Sequence, residues 1–117
     1  MILRYWRGWT TPANADAYKE IVEGVLADIA VRDIAGYRGA YLLRRDIGEE
    51  TEFATALLFD GMDSVREFAG EDYELAYVPD KARAALARYD ERSAHFEVLL
   101  TPDETGWPAS LSRPTRN

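Results

Sequence analysis

The chain reads as one α+β domain on the ferredoxin-like, split βαβ plan, with a four-stranded antiparallel sheet. Three observations predict it. The elements run strand, helix, strand, strand, helices, strand, an order that puts helices on one face of the sheet. The 117 residues leave room for a single core, since a chain of this size buries roughly two-thirds of its unfolded surface. The first and third strands are apolar on both alternating faces, the mark of strands covered twice.

Ile2 to Trp9 is the first strand, ended by Thr10, Thr11 and Pro12. Leu3, Tyr5 and Trp9 share one face, Ile2 and Trp6 the other. Thr11 followed by Pro12 suits an N-cap and first turn, because proline lacks the amide that would go unpaired there. The helix that follows carries Tyr18, Ile21, Val22, Val25, Leu26 and Ile29 at helical spacing, with Gly24 interrupting and expected to allow close packing. Tyr37 to Arg45 and Glu52 to Asp60 form a hairpin through the acidic turn Asp46 to Glu50, and the third strand is expected at the sheet centre. Ser64 and Glu67 match a capping box that opens a short helix carrying Phe68 and Ala69 and ended by Gly70. After a linker, Glu71 to Val78, Pro79 begins a helix carrying Ala82, Ala85, Leu86 and Tyr89, and the last strand runs from about Arg92 to Leu100. Residues 1–100 are read as the domain. Residues 101–117, with Pro102, Pro108 and Pro114, are an irregular tail, with Trp107 and Leu111 as its candidate anchors.

Composition narrows the function. With no cysteine there is no disulfide, thiolate nucleophile or iron–sulfur cluster. A net charge of -7 argues against nucleic acid as partner, because that binding releases counterions through Lys and Arg. No stretch approaches the roughly 20 apolar residues of a membrane span. The opening MILRYWRGW lacks the layout of a signal peptide, so the expected location is cytoplasmic. A sheet with helices on one side and two doubly apolar strands leaves a greasy face, which predicts a sheet-to-sheet homodimer. Arg38, Arg44 and Arg45, close to Asp46, Glu49 and Glu50, read as solvated edge charge.

ILRYWRG, GYRGAYLLRRD, VREFAGEDYELAYVP and the closing HFEVL resemble a branch of the antibiotic biosynthesis monooxygenase family. The matching positions are Arg4, Trp6 and Gly8, then Phe68, Ala69 and Gly70, then His95, Phe96, Glu97 and Val98. The resemblance spans roughly the first hundred residues and implies a dimeric α/β barrel with a pocket between sheet and helices. It also implies one of two chemistries: cofactor-free oxygenation of phenolic, polyketide-like compounds, or oxidative opening of haem. Haem-opening members use a helix-borne histidine with an asparagine and a tryptophan, and the phenol oxidisers also use an asparagine. Here His95 lies on the last strand, and the only asparagines are Asn14 and Asn117. The haem reading therefore ranks last.

His95 is the only histidine and the default general base, with a structural hydrogen bond in the sheet or dimer seam as the alternative. Glu97, two residues on, shares its face and would orient it or pair with an arginine. His95 and Glu97 lack further ligands for a metal, so none is expected. Arg4, Trp6, Tyr5 and Tyr41 are candidate pocket residues, where aromatics stack on a planar substrate and an arginine or tyrosine holds an oxyanion. Phe68 and Tyr73 are its candidate lid. No glycine-rich phosphate loop is present. The leading expectation is a homodimer that oxidises a small aromatic or polyketide-like molecule without a cofactor, using His95. The alternative is a non-catalytic dimer that binds a small hydrophobic molecule or serves a stress-related role.

Overall fold

In the computed structural model, which describes residues 1–106, the first strand β1 (Ile2–Thr10) leads through a single turn of 3₁₀ helix at Pro12–Asn14 into helix α1 (Ala15–Val31). The hairpin β2 (Tyr37–Ile47) and β3 (Glu50–Phe59) follows, then α2 (Met62–Ala69), α3 (Asp80–Ala85), and the short strands β4 (Arg88–Tyr89) and β5 (Ala94–Glu97). The antiparallel sheet runs β2-β3-β1, with β4 and β5 both paired to the far side of β1. Counted as one interrupted strand, β4 and β5 complete the ferredoxin-like arrangement. Trp107 and Leu111 lie outside the described residues.

Central position follows from composition. β1 and β3 pair without a break from Ile2 opposite Phe59 to Thr10 opposite Thr51. Their helix-side residues Trp6, Phe53, Leu57 and Phe59 are buried against Tyr18, Val22 and Ile29 of α1, Val65 and Phe68 of α2 and Ala82 of α3. Tyr18 meets Phe53 edge-on at 4.9 Å. Each such side chain stabilises the fold by about 1.5–3 kcal/mol on leaving water.

The other sheet face is open. Tyr41, Leu43 and Phe96 are each at least half exposed there, beside Leu3, Tyr5 and the small Ala54 and Ala56. At one end of this face Trp9 is nonetheless buried, because Arg7 and Arg88 stack on its ring at 5.1 and 3.9 Å. Asp90 and Glu50 hold those two arginines. On the edge strand, Arg38, Arg44 and Arg45 pair with Asp60, Asp16 and Glu52.

Several local expectations change. The hairpin turn is only two residues, Gly48 and Glu49, with Gly48 at φ 58 in the first turn position that favours glycine. Helix α2 starts at Met62 with Gly61 as its cap, so Ser64 lies inside the helix and forms no capping box. Helix α3 ends at Ala85, and Tyr89 belongs to β4. The last strand is split, because residues 90–93 turn aside to pair with the segment before α3: Ala76 N–H donates to Glu91 O and Ser93 N–H to Glu74 O, at 2.9 and 2.6 Å. Gly24 faces open space and permits no close approach.

Gly36 does the job expected of Gly24. Its φ is 83, its carbonyl accepts from Asp60 N–H at 2.8 Å, and a Cβ there would stand 2.0 Å from Ser64 Oγ. Two glycine-to-alanine changes should therefore have opposite signs in urea denaturation. Gly24→Ala is expected to stabilise by up to about 1 kcal/mol, as in any exposed helix interior. Gly36→Ala is expected to destabilise by at least about 1–2 kcal/mol, from the left-handed backbone alone. A neutral Gly36→Ala would show that this junction is loose.

Candidate functional site

Arg4 alternates with Leu3 and Tyr5, so its side chain leaves the sheet on the helix side, where it is 3% exposed. One terminal nitrogen donates to the carbonyl of Tyr73 and, at 3.0 Å, to Nε2 of His95. The other donates to Leu75 O at 2.9 Å. The guanidinium thus ties β1 to the segment after α2 and to β5. None of its partners is an acid. Burial lowers its pKa to about 10, so it remains charged at neutral pH.

His95 is opposite Arg4 in the β1–β5 register, which brings the two side chains to the same face. Arginine only donates, so Nε2 must offer its lone pair and the proton resides on Nδ1. Nδ1 is buried without a partner, and Tyr73 packs edge-on to the ring at 5.3 Å. Burial, and then the positive charge of Arg4, hold the histidine pKa below its ordinary value, with Glu74 acting weakly the other way.

Arg4 also forms part of the wall of a cavity between the sheet and the helices. Trp6, Thr55 and Leu57 rise from the sheet, Tyr18, Val22, Val25, Leu26 and Ile29 descend from α1, and Phe68, Tyr77, Val78, Pro79, Ala82 and Ser93 complete the wall. About 530 Å³ of empty space lies between these walls, part of it open to solvent. Tyr77 in this wall is half exposed. The indole N–H of Trp6 is satisfied by Asp90 O at 2.7 Å, which leaves the ring face for packing. The hydroxyls of Tyr18, Thr55 and Ser93 have no hydrogen bond among the described residues. Burial raises the Tyr18 pKa, which keeps that hydroxyl a neutral donor.

Among solved structures, the fold is similar to that of the heme-degrader MhuD from Mycobacterium tuberculosis, solved with two hemes bound in its active site. The TM-score is 0.56 at 20% sequence identity, over 86% of this chain and 98% of that one. The likeness is one of fold. No family model and no curated protein matches the sequence.

The site residues expected from sequence divide into two groups. Arg4, Trp6, Phe68, Tyr73 and His95 converge. Phe68 is buried on the cavity wall rather than over it as a lid, and its ring lies 5.5 Å from the Arg4 guanidinium. Tyr73 caps His95 and not the cavity. Tyr41, Tyr5 and Glu97 do not join them. A β-bulge between Tyr37 and Gly39 shifts the pairing of β2, so Tyr37 packs on Phe59 at 5.5 Å while Tyr41, opposite Ala56, points to the open face. Tyr5 alternates onto that same face. Glu97 is exposed and its carboxylate makes no ion pair among the described residues; Arg4, not Glu97, engages His95. His95 itself stands behind Arg4 and is not part of the cavity wall. Sequence reasoning missed Tyr18, Thr55, Tyr77 and Ser93, which read there as core stripe, strand and linker.

The half-buried neutral histidine makes stability pH-dependent. Its folded pKa lies below the ordinary 6.5, so the unfolded chain binds more protons between the two values and stability rises with pH across that window. The contribution is complete above 6.5 and is lost as the pH falls through the lower, folded value. Urea midpoints between about pH 5 and 8 should show this slope in the native chain, and it should flatten in His95→Gln, which keeps an acceptor for Arg4 but does not titrate. An unchanged slope would assign the dependence to other groups.

Proposed function

We propose that the chain binds a small, planar, aromatic or polyketide-like molecule in the cavity beside Arg4 and Trp6. The observation that carries this reading is an apolar, aromatic-walled slot holding a few polar groups that the protein itself leaves unpaired, the usual make-up of a small-molecule site. The motif resemblance to the antibiotic biosynthesis monooxygenase family and the likeness of fold to MhuD agree with it.

Binding without turnover is the reading the geometry supports best. A cofactor-free oxygenase must first take a proton from a phenol or enol, so that the electron-rich anion can reduce dioxygen. His95 has its lone pair engaged by Arg4, and no carboxylate or histidine lines the cavity. The oxygenase reading keeps one support, namely that Arg4 would favour ionisation of a hydroxyl placed against it. In that case His95 is a positioning residue for Arg4. MhuD binds hemes in its active site; the residues here do not fit that group, because the cavity wall carries no histidine to ligate the iron.

Calorimetric titration with a panel of bicyclic and tricyclic aromatics, acidic and neutral, hydroquinones and anthrones included, checks both readings when oxygen uptake is followed in parallel. At least one member should bind, and Ala82→Leu, which fills the slot, should weaken it by about tenfold or more, a loss of about 1.4 kcal/mol. Uptake above the uncatalysed rate would establish the oxygenase instead. No binding by any member would remove the small-molecule reading.

We further propose that residues 1–100 act as one unit and pair with a second copy through the open sheet face, where Tyr41, Leu43 and Phe96 are exposed. Light scattering at micromolar concentration should report a dimer, and Leu43→Lys should shift it to monomer. A monodisperse native monomer would count against this interface.

A further inference from the structure

We infer that the molecule the cavity is built for is an amphipathic organic anion, a flat aromatic body carrying a carboxylate, with the Arg4 guanidinium as its counter-ion. This rests on the reading of the cavity as a small-molecule site and specifies its ligand class.

The charge inventory is the first argument. Eight of the ten arginines among the described residues reach a carboxylate within 3.7 Å. The two that do not are Arg4 and Arg32. The chain has 21 acidic residues to distribute, yet the one buried arginine among the described residues has only two carbonyls and an imidazole as partners. Exposed pairs contribute little, whereas a buried charge without a counter-charge is costly. A counter-charge is therefore missing where it would matter most. Arg32 strengthens the same polarity: it and Arg4 lie 5.4 and 5.5 Å from the Phe68 ring, so two unpaired cations flank one aromatic of the cavity wall.

The second argument is chemical. A phenol or enol becomes an anion near neutrality only if a base removes its proton, and the cavity wall offers no such base. A carboxylic acid arrives already ionised. The carboxylate has two oxygens, and hydroxyls of the type supplied by Ser93 and Thr55 suit the lone pairs that Arg4 does not engage. Phosphate fits poorly, because a second negative charge would meet mostly apolar wall. The remaining surface, from Trp6 to Tyr77, matches a flat apolar body.

The decisive comparison uses two ligands of one shape, 2-naphthoate and 2-naphthamide, titrated calorimetrically into the full native chain near neutral pH. The expected result is naphthoate binding at least about tenfold tighter than naphthamide. Arg4→Met should erase that preference, bringing naphthoate down to the affinity of naphthamide or below in the same variant, and Thr55→Val should reduce it in part. Equal affinities in the native chain, or a preference that survives Arg4→Met, would overturn the inference while leaving a neutral-ligand site in place. If neither compound binds, the inference and the small-molecule reading fall together. Because the native comparison needs no variant, it decides the question even where Arg4→Met does not fold.

Discussion

The unbroken nine-residue register between β1 and β3 is the constraint on which the rest of this molecule depends. Two adjacent strands apolar on both faces have to sit in the middle of a sheet, and the remaining elements are arranged around that requirement. The helices take one face. The hairpin partner β2 takes one flank, and the interrupted pair β4 and β5 takes the other. The same register sets the site, because it fixes which side chains of β1 and β3 project together beneath the helices. Arg4, Trp6, Leu57 and Thr55 meet at the cavity as a direct result.

Much of this fold was legible in the sequence. Alternation in β1 and β3, the stripe from Tyr18 to Ile29 and the glycine after α2 are local patterns with local causes. What was not legible depends on contacts between distant segments. The last strand breaks because Ser93 and Glu91 pair with Glu74 and Ala76, a bond pattern that no window around residue 93 contains. Ser64 with Glu67 has the spacing of a capping box, but the helix reaches back to Gly61 and places Ser64 against Gly36 instead. The site shows the same division. Arg4, Trp6 and Phe68 stood out as motif positions holding an arginine and aromatics, types able to line a pocket. Tyr41 was misplaced by one inserted residue, since a bulge reverses the inside-outside alternation of everything beyond it. Tyr18 and Tyr77 carried no signal, because a tyrosine in a helical stripe or a linker looks the same whether it fills a core or faces a cavity.

The site is organised around a cation rather than around a base. His95 has the chemical type of a catalyst, but its lone pair, its burial and its neighbour make it a support that fixes one nitrogen of Arg4. The carbonyls of Tyr73 and Leu75 accept from its two terminal nitrogens as well, so contacts within the chain alone set its plane. Preorganised donors of this kind cost nothing further to orient at the moment of binding. Their own stability cost is already present in the fold, where His95 Nδ1 and the Arg4 charge both stay incompletely satisfied.

The stack of Arg7, Trp9 and Arg88 closes one end of the open sheet face, with Asp90 and Glu50 locking its two planes in position. That end is charged and already covered. The opposite end, around Leu3, Tyr5, Ala56 and Phe96, is apolar, and the small Ala56 opposite Tyr5 leaves room for another surface. The contact area this face offers therefore lies off-centre. For a second copy of the chain, the two-fold axis would have to pass through the apolar half, leaving the arginine-capped ends of the two sheets overhanging on opposite sides.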